Sequence, residues 1–61
     1  MLFGVRHKTG LVTEADWAEI ETQGGRVVPR RGDRVFWVDG PENFLELMAS
    51  SKVWIEVVSL S

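Results

Sequence analysis

Apolar and polar positions alternate from Leu2 to His7, with Phe3 and Val5 on one side and Gly4 and Arg6 on the other. A period of two predicts a strand. Lys8-Thr9-Gly10 is a turn signal. The period then changes. Thr13 suits an N-cap, and Asp16 stands where the third residue of a capping box belongs. A first helix is predicted from about Glu14 to Gln23, ended by Gly24-Gly25. Its apolar stripe is narrow: Trp17 and Ile20, with Val12 just before. Ala15 and Ala18 fall on the opposite side.

Arg26-Val27-Val28-Pro29 reads as a short strand. Pro29 cannot donate to a ladder, so an edge position is expected. A turn over 30–33 leads to Arg34-Val35-Phe36-Trp37-Val38, the strongest β signal in the chain, which completes a hairpin. Asp39-Gly40-Pro41-Glu42 opens a second helix, with Pro41 suited to its first position. Phe44, Leu45, Leu47 and Met48 form its broad apolar face, so this helix is expected to lie deeper than the first. Ser50-Ser51-Lys52 ends it. Val53 to Leu60 is the last strand. Regular alternation puts Val53, Ile55 and Val57 on one face, and Trp54, Glu56, Val58 and Leu60 on the other.

Strand, helix, strand, strand, helix, strand is the split βαβ, ferredoxin-like order. It predicts an α+β fold: a small four-stranded antiparallel sheet with two helices on one face, and the second and last strands at the edges. In a rival arrangement, 11–13 turns back on the first strand as a short hairpin. Residues 1–61 are read as a single small domain.

A chain of 61 residues buries only about 60% of the surface its unfolded form exposes. Domains below ~70 residues often need a disulfide, a metal or a partner subunit. Cysteine is absent, which removes disulfides and thiolate metal sites. Self-association or a well-filled core remains. The apolar row Trp54, Val58 and Leu60 is the expected self-association surface, because two helices leave one sheet face uncovered. A homo-oligomer is therefore expected.

Nine acids against seven bases give a net charge of −2. That balance disfavours generic binding to nucleic acid or anionic membranes. No run of 18 apolar residues occurs, and the N-terminal segment has no signal-peptide pattern. These features lead to the expectation of a cytoplasmic protein that does not use a membrane.

The chemistry is sparse. His7 lacks a nucleophile or carboxylate partner close in sequence, and no catalytic role is assigned to it. Glu14, Asp16, Glu19 and Glu21 spread around the first helix as a solvated face. Gly24-Gly25 follows a helix, whereas a phosphate-cradling loop precedes one. Arg31-Gly32-Asp33 is read as turn chemistry, not an adhesion motif. Arg30, Arg31 and Arg34 cluster beside Trp37, which makes these four the candidate partner-binding residues. Arginine offers a planar five-donor fork for carboxylate or phosphate. Basic residues beside aromatics also suggest an RNA-binding sheet, but Asp33-Arg34-Val35 stands where such a sheet places stacking aromatics.

The sequence leads to the expectation of a non-enzymatic protein-interaction module: a regulator, inhibitor or assembly factor, of the size common in bacteria and phages. No cofactor or metal is expected. The alternative is a nucleic-acid-binding module that uses the arginine hairpin 30–34.

Overall fold

The computed structural model describes residues 1–28 and 35–60. The elements run β1 (Leu2–His7), α1 (Glu14–Thr22), β2 (Arg26–Val28), β3 (Val35–Asp39), α2 (Phe44–Leu47) and β4 (Trp54–Ser59). The four strands form one sheet in the order β2-β3-β1-β4, with every pair antiparallel. This is the split βαβ arrangement. The residues 11–13 make no strand, and Leu11 is 81% exposed, which excludes the rival hairpin.

Side-chain alternation in β1 divides the sheet into two faces. Phe3, Val5 and His7 are buried on one of them. Phe3 meets Phe44 of α2 with ring centroids 5.1 Å apart, and His7 bonds to Asp16 of α1. Phe3 and His7 are four residues apart on one strand, so both helices cover the same face. The core comprises Phe3, Val5, Ile20, Val38, Phe44, Met48 and Trp54, with Trp17 and Phe36 packed against it.

The first helix begins as its sequence predicts. Thr13 caps it through a reciprocal capping box with Asp16. Its end comes at Gly24, which takes a φ of +85°, where a side chain would be strained. Gly25 then passes directly beneath both helices. A Cβ there would sit 2.7 Å from Ile20, 2.8 Å from Val38 and 2.9 Å from Phe44.

The second helix departs from expectation. It is a single turn, Phe44–Leu47, with Asn43 as its N-cap and no side-chain capping bond. Pro41 lies ahead of the helix and accepts a hydrogen bond from the Phe44 amide. Phe44 and Met48 are buried, whereas Leu45 is 41% exposed. One turn can direct only one edge of a broad apolar face inward, so depth comes from Phe44 and Met48 alone. Among the described residues, no helix is long and apolar enough to cross a membrane.

Candidate interaction surface and the buried histidine

The face of the sheet opposite the helices is built in three cross-strand rows. Strand pairing places Arg26, Asp39 and Leu2 in the first, Val28, Trp37, Gly4 and Val58 in the second, and Val35, Arg6 and Glu56 in the third. Leu60 flanks the first row, its amide bonded to the Leu2 carbonyl at 2.8 Å. Gly4 has no side chain, so the middle of the face is a hollow. A groove of about 100 Å³ crosses it, lined by Gly4, Val35, Trp37, Val58 and Leu60. Arg6 and Glu56 close one end as an ion pair 3.6 Å apart. Both side chains are more than half exposed, so the pair contributes little stability. It does place one charge of each sign at the rim of an apolar groove.

Trp37 and the exposed Val58 and Leu60 therefore lie together on the open face. Trp54 does not join them. The pairing of β1 with β4 shifts between Arg6 and His7, a bulge that puts Trp54 opposite His7. One extra residue reverses every side chain on the far side of it. Trp54 turns to the helix face, where it is 2% exposed and packs against Trp17, Phe36 and His7. Its assignment to the self-association row is corrected: it is core. Ile55 takes the outer place and is 58% exposed. Arg30, Arg31 and Arg34 lie outside the described residues. Gly4, Arg6, Val35 and Glu56 are groove residues that sequence reasoning missed. A glycine inside a strand was the available signal, since it marks a close approach or a hollow.

His7 is the one buried polar residue of the described chain. Its Nδ1 accepts hydrogen bonds from the amides of Thr9 at 3.2 Å and Gly10 at 3.0 Å. Two N–H donors at Nδ1 require a lone pair there, so the ring proton of the neutral imidazole sits on Nε2. Nε2 donates to Asp16 Oδ2 at 2.8 Å. The same carboxylate oxygen accepts from the Thr13 amide at 3.1 Å. The His7 bond, followed by the Thr13 backbone bond, lowers the Asp16 pKa from its ordinary value of 3.8. Trp54 Nε1–H donates to the Asp16 carbonyl at 3.0 Å. Ser51 Oγ donates to Glu19 Oε1 at 2.8 Å and accepts from the Trp54 amide at 3.0 Å.

Both His7 ring nitrogens are engaged, so the ring presents no lone pair to a substrate. The cluster ties α1 to β1 and β4. Among the described residues, no group of three or more His, Asp and Glu side chains could hold a metal ion. No family model, curated protein or solved structure matches this chain.

Proposed function

We propose that this protein is a non-enzymatic interaction module whose binding surface is the open face of the sheet. The observation that carries the reading is the apolar groove over Gly4, walled by Trp37 and Val58. Apolar surface uncovered by a protein's own helices marks a contact site. Its depth suits a single apolar side chain of a protein partner. The Arg6–Glu56 pair at the rim would orient a flanking charge of either sign. Trp37 supplies the large, rigid contact area typical of residues that dominate interface energetics.

Binding partners retained on the immobilised chain provide the test. Gly4→Phe fills the groove from within, while Leu45→Glu places a charge on the exposed side of α2. A partner held by wild type and by Leu45→Glu but lost with Gly4→Phe supports the assignment. A partner held equally by all three variants places the binding surface elsewhere.

A further inference from the structure

Leu11 is the most exposed large apolar residue among the described ones, at 81%. A single exposed leucine is ordinary on a protein surface. What distinguishes this one is its backbone. The amides of Thr9 and Gly10 bond to His7 Nδ1, the Leu11 amide bonds to Thr9 Oγ1 at 3.1 Å, and the Thr13 amide bonds to Asp16 Oδ2. The buried histidine and the helix cap thus hold both flanks of Leu11, and its side chain projects from a braced loop. A contact residue ordered in advance costs less to bind than a mobile one.

We propose that Leu11 of one copy docks in the groove over Gly4 of a second copy, so that the protein associates with itself through two unlike patches. The proposal rests on the open-face reading and names the occupant of that groove.

Size, charge and placement carry the argument. A cavity of about 150 Å³ holds a benzene ring. The groove, at about 100 Å³, suits a smaller, aliphatic side chain. The exposed Lys8 and Glu14 flank Leu11 on either side along the chain. Arg6 and Glu56 close one end of the groove, again one charge of each sign. Docking can set Lys8 against the partner's Glu56 and Glu14 against the partner's Arg6, so the two rims are complementary in charge. Leu11 does not reach the groove of its own chain. The 8–13 connection leads into α1 on the helix face, whereas the groove opens on the opposite face. A second copy supplies the missing half, and so short a chain gains buried apolar surface.

Sedimentation of the full chain at several concentrations tests the proposal. Wild type should exceed its monomer mass of 6.9 kDa at high concentration. Leu11→Ser removes the knob and Gly4→Phe fills the groove, and each alone should weaken association roughly 10- to 100-fold. Val58→Lys, at an exposed wall of the groove, should do the same without placing a ring on the strand backbone. Mixing discriminates further. A Gly4→Phe or Val58→Lys chain keeps its Leu11, and a Leu11→Ser chain keeps its groove, so either pair should associate one to one. A monomeric wild type, a Leu11→Ser chain that associates like wild type, or mixtures that stay monomeric overturn the proposal. The open-face reading survives all three outcomes, because it fails only when a captured partner is held equally with and without Gly4→Phe.

Discussion

His7 Nε2 and Asp16 Oδ2 lie 2.8 Å apart, joining the end of the first strand to the first turn of the first helix. The contact has three structural consequences. It satisfies a buried ring N–H, it holds the capping carboxylate in place, and it brings the Asp16 carbonyl under the Trp54 indole. The strand, the helix start and the last strand are thereby fixed by one carboxylate residue. Gly10, at a φ of +87°, lets the turn fold back so that its amide reaches the other ring nitrogen.

Acid should loosen this link. The folded-state pKa of Asp16 is depressed. A depressed carboxylate contributes stability that is present above its unfolded pKa and lost as pH falls through the folded value. The window therefore opens near pH 3.8 and extends downward. Urea midpoints of wild type and Asp16→Asn, compared from pH 6 down to about 2, should converge as the pH drops. A gap that stays constant across that range would show that the Asp16 charge contributes nothing to folding.

The second helix should be sensitive at one position and tolerant at the next. Phe44 is fully buried and packs its ring against Phe3 at a tilt, so Phe44→Ala should cost about 3–5 kcal/mol. A domain this small has roughly that much stability in total. Leu45→Ala should cost less than about 1 kcal/mol. Circular dichroism melts separate the two. Equal losses would mean that the apolar face of this helix is buried across its full width.

Two glycines should differ in their tolerance of one added methyl group. Gly25→Ala drives a Cβ to within 3 Å of Ile20, Val38 and Phe44, and overpacking of this kind costs about 1–3 kcal/mol. Gly4→Ala meets Val58 and Leu60 at 3.5 Å, ordinary contact, and begins to fill the groove. Thermal denaturation should show a clear loss for the first and a change of no more than about 0.5 kcal/mol for the second.

Much of the fold was legible along the chain. Alternation marked β1, a β-branched and aromatic run marked β3, Thr13 and Asp16 marked the start of α1, and Gly24-Gly25 marked its end. The order of these elements led directly to the sheet topology, because short right-handed connections leave few alternatives. Two features depended on contacts between distant residues. The facing of Trp54 depended on a single-residue bulge, and no local signal in Val53-Trp54-Ile55 distinguishes a bulged strand from a regular one. Packing decided it: the indole gains Trp17, Phe36, His7 and the Asp16 carbonyl on the helix side. The role of His7 was equally hidden, since Asp16 lies nine residues away and meets it only when helix and strand dock. The sequence by itself determined the elements, their order and which strands form the edges, because those follow from periodicity and chain connectivity. The tertiary structure alone decided which side chains share a face beyond the bulge, and how the one buried imidazole is satisfied, because both depend on partners that local pattern does not specify.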